Sequence, residues 1–214
     1  MDKQLAEKLG KLARIGAATV HEGLGQRGYV DAAIAALDPA TRVAGPAYTV
    51  EATPGDNLAI HYALAHAAPG DVIVVDYKGY MRAAAIGDVM AFSAKARGIA
   101  AFVIDGAVRD AALVVEMGFP VFARGLCITG PTKSMPGKVQ VPVSIGGCIV
   151  QPGDIVVGDR DGLVVVPAAE VDAALEAASA RDAREVAIRD RLAQGATTVE
   201  LLNLAESVRK HGIG

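Results

Sequence analysis

Continuous apolar runs and helix-spaced stripes alternate along this chain. The run at 72–76 (VIVVD), AFVI at 101–104, PVFA at 120–123 and LVVV at 163–166 are short and rich in β-branched residues. Runs of that kind predict strands buried on both faces of a sheet. Residues 42–53 (RVAGPAYTVEAT) alternate loosely and predict a strand kinked at Gly45-Pro46. Between these runs the period changes. Leu5, Leu9 and Leu12 share one face of a helix over 3–14, and Thr19 is placed to cap a second helix reaching Leu24. Further helices are expected at 57–67, at the start of the 87–110 stretch, and at 111–117, stopped by Gly118. Residues 124–154 predict short strands and turns around VQVPVSIGG. The stretch 168–193 predicts one long helix ended by Gly195, and Thr197 with Glu200 forms a capping box for a last one.

Three Pro-Gly-Asp triplets, at Pro54, Pro69 and Pro152, fit tight turns and need no internal duplication. Strands flanked by helices, with no Gly/Ser linker, predict an α/β fold in one domain over 1–214, with helical extensions at 1–28 and 168–205.

Composition narrows the picture. Hydrophobic residues make up 52% of the chain, but aromatics only 4%, so the core must be built from Ala, Val, Ile and Leu. A net charge of −3 without a polybasic run argues against nucleic acid as a direct partner. Cys127 and Cys148 are isolated, which fits neither a disulfide framework nor a zinc spacing. The charged N-terminus does not read as a signal peptide, and no apolar run approaches the roughly 18 residues a membrane-spanning helix needs. A cytoplasmic protein without membrane partners is expected.

The chemistry concentrates at 87–110 (GDVMAFSAKARGIAAFVIDGAVRD). If 101–104 and 120–123 are neighbouring parallel strands, the loops at their carboxyl ends line one crevice, the usual ligand position in open α/β sheets. The free amides of Gly87, Asp88, Val89 and Met90 at a helix start suit a carboxylate, and Gly87 lets a ligand approach the backbone. Arg109 is a planar donor for a carboxylate or enolate oxygen. Asp110 is a hard oxygen ligand of the kind that holds Mg²⁺ together with waters, and Asp88 could act through such a water. Each also has a plain reading: Asp88 as a helix cap, Arg109-Asp110 as a surface ion pair or cap. No GxxxxGK[ST] loop is present.

Other polar residues carry less. Lys78, Lys95, Lys133 and Lys138 read as exposed charges rather than a Schiff-base lysine. The four histidines lack a zinc spacing; His21 reads as a helix-surface residue, and Asp159 and Asp161 as parts of a hairpin turning at Asp161-Gly162. Tyr77 and Tyr80 either line the crevice or are half-buried aromatics.

Taken together, the 87–110 motif, the Pro-Gly-Asp turn before Val72 and PGDIVVGDRDGLVVVP at 152–167 resemble one family. It contains the regulator of ribonuclease activity A and the 4-hydroxy-4-methyl-2-oxoglutarate/4-carboxy-4-hydroxy-2-oxoadipate aldolases. Glu22 in Thr19-Val20-His21-Glu22, and the long C-terminal helix with Glu185, are similar to the aldolase branch. The resemblance implies a swivelling β/β/α fold, a trimer or hexamer, and an active site at the subunit interface. It implies a divalent-metal-dependent (Mg²⁺ or Mn²⁺) pyruvate aldolase acting on a small 2-oxo acid, with oxaloacetate decarboxylation as a side activity. The carboxylate would sit on the amides of residues 87–90, Arg109 on the keto or enolate oxygen, and Asp110 on the metal. Asp88 and a neighbouring subunit's copy of Glu185 would hold metal-bound waters, and Glu22 would lie near the distal end of the substrate. The alternative the resemblance leaves is a non-catalytic inhibitor of a ribonuclease.

Overall fold

The structure, a computed structural model, describes residues 2–213. Its elements run α1 (Lys3–Ile15), α2 (Ala17–Gly23), β1 (Ala35–Ala36), β2 (Val43–Glu51), α3 (Leu58–His66), β3 (Val72–Tyr80), α4 (Asp88–Ala96), β4 (Ala101–Val108), α5 (Ala111–Glu116) and β5 (Val121–Leu126). There follow β6 (Lys138–Val139), β7 (Val143–Ile145), β8 (Cys148–Val150), β9 (Ile155–Asp159), β10 (Gly162–Val166), α6 (Val171–Ala193), α7 (Thr198–Leu201) and α8 (Ala205–Lys210). The chain forms two compact units, residues 1–178 and residues 179–214.

The first unit is a mixed α/β fold around one sheet, ordered β1-β5-β4-β3-β2-β9-β10, with β6 also on β2. The inner strands β2, β3, β4 and β5 are parallel, and β9, β10 and β1 are added antiparallel. The apolar runs explain the burial of the inner strands, because alternate residues serve opposite faces. Ile73 and Val75 face a core with Ile60, Leu64, Met90, Ala94 and Val114 from the three crossover helices. Val72 and Val74 face a second core completed by Val143, Ile145 and Val150 of the β7–β8 hairpin. The layers are therefore hairpin, sheet and helices, as the α/β expectation and the implied β/β/α fold require. A third cluster joins Leu9, Leu12, Val20 and the first turns of α6 to β9 and β10.

Several boundaries differ from the expected ones. The second helix starts at Ala17 rather than at a Thr19 cap, because the Asp159 carboxylate accepts the Ala17 amide at 2.8 Å. The β9–β10 hairpin pairs Asp159 with Gly162, so its turn is Arg160-Asp161, one residue earlier than read. The strands of the central runs extend further, to Tyr80, Val108 and Leu126, through shifts of register. Lys78 and Gly79 bulge with φ of 57° and 66°, and Gly106 leaves room where a Cβ would meet the Tyr80 carbonyl at 2.9 Å. The two-residue strand β1 is too short for any periodicity to reveal.

The second unit is helical. Glu200 and Thr197 form the expected capping box, with the Glu200 amide bonded to Thr197 Oγ1 at 3.3 Å. No helix among the described residues is long and apolar enough to cross a membrane.

Candidate active site

Four loops leave the carboxyl ends of β2, β3, β4 and β5 on one edge of the sheet, and the residues of interest stand on them. The loop after β3 is stitched to its neighbours by Ala85 N to Ala107 O (2.8 Å), Ala84 N to Thr129 O (2.9 Å) and Arg109 N to Ile86 O (3.0 Å). It then turns into α4 at Gly87. Gly87 has no side chain to cap that helix, so the amides of Val89 and Met90 lack a capping partner, as an anion site requires. The Asp88 amide is 3.3 Å from Asp110 Oδ2.

Arg109 and Asp110 close the other side. Arg109 Nε lies 3.2 Å from Asp110 Oδ2. Asp110 occupies the left-handed region (φ 55°, ψ 34°) at the start of α5 without capping it. That backbone costs an L-residue about 1 kcal/mol or more, the kind of strain kept where a side chain must be aimed. Gly87 is in extended backbone, yet a Cβ there would meet Arg109 Nε at 3.0 Å and Asp110 Oδ2 closer still. Gly130 likewise admits the guanidinium: its Cβ would meet Arg109 Nη1 at 3.2 Å.

A cleft of about 150 Å³ lies between these elements, lined by Ala85 to Met90, Arg109, Pro131 and three residues that sequence reasoning did not assign to a site: Asn57, His61 and Lys133. Asn57 is 3% exposed. Its Nδ2 donates to Ala85 O at 2.9 Å and reaches Met90 Sδ at 3.4 Å. Asn57 Oδ1 and His61 Nε2 are buried with no hydrogen-bond partner among the described residues. An orphan of that kind costs about 1–3 kcal/mol, which a ligand's polar group recovers. Burial, and then the Lys133 ammonium, push the His61 proton affinity down, so the imidazole is neutral at neutral pH and Lys133 is the second cation of the cleft. A second cavity, of about 260 Å³, is lined by Arg109, Asp110, Leu126, Cys127 and Ile128.

The structure thus brings together Gly87, Asp88, Val89, Met90, Arg109 and Asp110. Glu22 is not among the residues lining either cavity: it is exposed on α2 and accepts Gln26 Nε2 at 3.4 Å. Glu185 belongs to the second unit, paired with Arg181 (3.0 Å) and Arg189 (3.7 Å) on its own helix. Tyr77 is fully buried, with its hydroxyl pushed up to about 12 by burial, and lines neither cavity.

No group of three His, Cys, Asp or Glu side chains among the described residues could cage a metal ion. The donor set fits a loosely held Mg²⁺ or Mn²⁺, one hard carboxylate plus waters, better than a zinc or calcium cage. Asp110 Oδ2 is shared between Arg109 Nε (3.2 Å) and the Asp88 amide (3.3 Å).

Residues 17–165 match the family model described as RraA-like: Aldolase/RraA. The chain is 43% identical over 160 residues to a protein of Halalkalibacterium halodurans named "Putative 4-hydroxy-4-methyl-2-oxoglutarate aldolase", covering 73% of this chain and 76% of that one. It is similar to two solved structures. One, from Streptomyces coelicolor, is RraAS2, described as an unusual member of the RNase ES inhibitor RraA protein family (33% identity, TM-score 0.78, 88% of this chain and 97% of that one). The other is an uncharacterized protein from Pseudomonas syringae pv. tomato (30% identity, TM-score 0.79, 90% and 94%).

Proposed function

The chain belongs to the RraA-like family, and from that premise we propose that it is a divalent-metal-dependent pyruvate aldolase. Its substrate would be 4-hydroxy-4-methyl-2-oxoglutarate or 4-carboxy-4-hydroxy-2-oxoadipate, cleaved to pyruvate plus pyruvate or oxaloacetate. One observation carries the reading. An uncapped helix start, an arginine and a hard carboxylate meet at a glycine that has no room for a side chain.

The chemistry follows from charge. As a base takes the 4-hydroxyl proton and C4 becomes a carbonyl, the C3–C4 bond breaks and leaves its electron pair on the pyruvate unit as an enolate, so the site must stabilise a growing negative charge on one oxygen. Arg109 does so as a fixed donor, and the amides of Val89 and Met90 hold the adjacent carboxylate. Lys133 adds positive charge to the cleft. A divalent ion bound by Asp110, with Asp88 as a partner for its waters, would supply Lewis acidity toward that same oxygen. Loss of CO₂ from oxaloacetate gives the same enolate, so decarboxylation accompanies the aldolase activity.

The site is completed by a second copy of the chain, in a trimer or hexamer. Val89 (75% exposed) lines one cavity with Arg109, Ile128 (94%) lines the other with Arg109 and Asp110, and Phe92 (64%) stands one turn along α4 from Val89, so exposed apolar side chains flank the site. A partner covering it would exclude water and could contribute Glu22 or Glu185.

The test is pyruvate release from both hydroxy acids and from oxaloacetate, with and without Mg²⁺. Turnover of at least one, abolished by EDTA and restored by the metal, is the expected result. No turnover of any of the three would shift the reading to a ribonuclease-binding protein, which the likeness to the Streptomyces protein favours.

A further inference from the structure

Asp56 stands one residue before the cleft-lining Asn57 and is itself 2% exposed. Its Oδ1 accepts the Leu58 amide at 2.8 Å. Its Oδ2 accepts three donors from the loop after β5: Thr132 Oγ1 at 2.6 Å, Ser134 N at 2.7 Å and Met135 N at 3.0 Å. Backbone bonds run alongside, Asn57 N to Thr132 O (3.0 Å) and Thr132 N to Gly55 O (2.8 Å). One carboxylate therefore ties the start of α3 to residues 132–135. Lys133, the charged residue this loop gives to the cleft, lies between donors to Asp56 on both sides.

We propose that Asp56 is a positioning residue, a latch that holds the Lys133 loop in place at the cleft. Four donors converge on it, and only an ionised carboxylate offers acceptors at both oxygens. An amide would turn an N–H toward a donor and leave at least one unanswered. Burial on its own would raise the proton affinity of Asp56, yet the bonds from Thr132, Leu58, Ser134 and Met135 pull it down to about 2, so the latch is ionised throughout the physiological range. The kinetic consequence of the latch rests on the aldolase reading of the cleft; the latch itself does not.

Hydrogen exchange in the ligand-free protein tests the latch directly. In Asp56→Asn the Ser134 and Met135 amides should exchange about tenfold faster or more, while those of α4 hold their protection. Thr132→Val, which removes one donor and spares the carboxylate, should show a smaller change in the same direction and covers the case in which Asp56→Asn does not fold. Unchanged exchange at these amides overturns the proposal whatever the enzyme does. In the pyruvate-release assay, Asp56→Asn should raise KM about tenfold with less effect on kcat, and should change KM less than about twofold in a Lys133→Ala background. Effects that multiply would mean that Asp56 acts without Lys133, and would overturn the positioning role. A wild type that releases no pyruvate removes the aldolase reading and leaves exchange to decide the latch.

Discussion

Gly87→Ala is the sharpest perturbation this site offers. The backbone at Gly87 is extended (φ −140°, ψ −165°), so alanine is tolerated there and the fold should survive. Space is what it lacks. The new methyl would stand 3.0 Å from Arg109 Nε and 3.1 Å from Arg109 Cγ, where ordinary contact begins at 3.4 Å, and closer again to Asp110 Oδ2. The arginine must yield by several tenths of an ångström and the carboxylate by about 1 Å, a misplacement that costs on the order of a hundredfold in rate where reacting groups are aligned. Both side chains are partly exposed and can move outward, so the stability cost should stay near the low end of about 1–3 kcal/mol for overpacking. Pyruvate release coupled to NADH oxidation measures the first quantity and urea unfolding the second. Near wild-type turnover in a folded Gly87→Ala protein would refute the claim that Arg109 and Asp110 act on substrate from these positions.

Three further outcomes are expected. Asp110→Asn should leave unfolding within about 0.5 kcal/mol of wild type, since asparagine tolerates the left-handed backbone, while pyruvate release falls on the order of a hundredfold and becomes insensitive to Mg²⁺; retained metal dependence would count against Asp110 as the ligand. Because Asp56 is held at about 2 in the folded chain against an ordinary 3.8, its contribution to stability is complete above the higher value and is lost as pH falls through the lower one. Thermal unfolding should therefore separate wild type from Asp56→Asn at neutral pH and bring them together toward pH 2, and a constant gap would contradict this. Replacing Phe92 and Ile128 together by glutamate should shift sedimentation from oligomer to monomer and abolish pyruvate release; a fully active monomer would contradict the shared site.

Much of this was legible because the signals are local. Continuous β-branched runs announced the parallel strands, and Gly87, Asp88, Arg109 and Asp110 stand at element boundaries where sequence reading looks for ligands. Asn57, His61 and Lys133 were not legible in the same way. Asn57 follows a Pro-Gly-Asp turn that local turn geometry already explained, and Lys133 sits in a Gly/Pro-rich stretch where exposed charge is the ordinary reading. Only the strand order brings the ends of β2 and β5 toward the Arg109 loop, and no periodicity encodes strand order. Thr19 misled for a related reason: a capping residue is a local signal, but the α2 start is held by Asp159, 142 residues away in the chain.

The four-loop edge has a consequence for how such a protein can change over time. Each loop follows a different strand, while most of the packing that secures the sheet lies on its two faces, the loops adding only Ala52, Ala85 and Ile86 to one of the cores. Loop residues can thus be exchanged with little penalty to the frame, and charge, pocket depth and surface chemistry can drift independently of fold. A scaffold divided in this way can keep its architecture while its active edge is rebuilt for another substrate, or loses chemistry and becomes a docking surface. A family that includes both a named aldolase and a ribonuclease inhibitor is what that division of labour would produce.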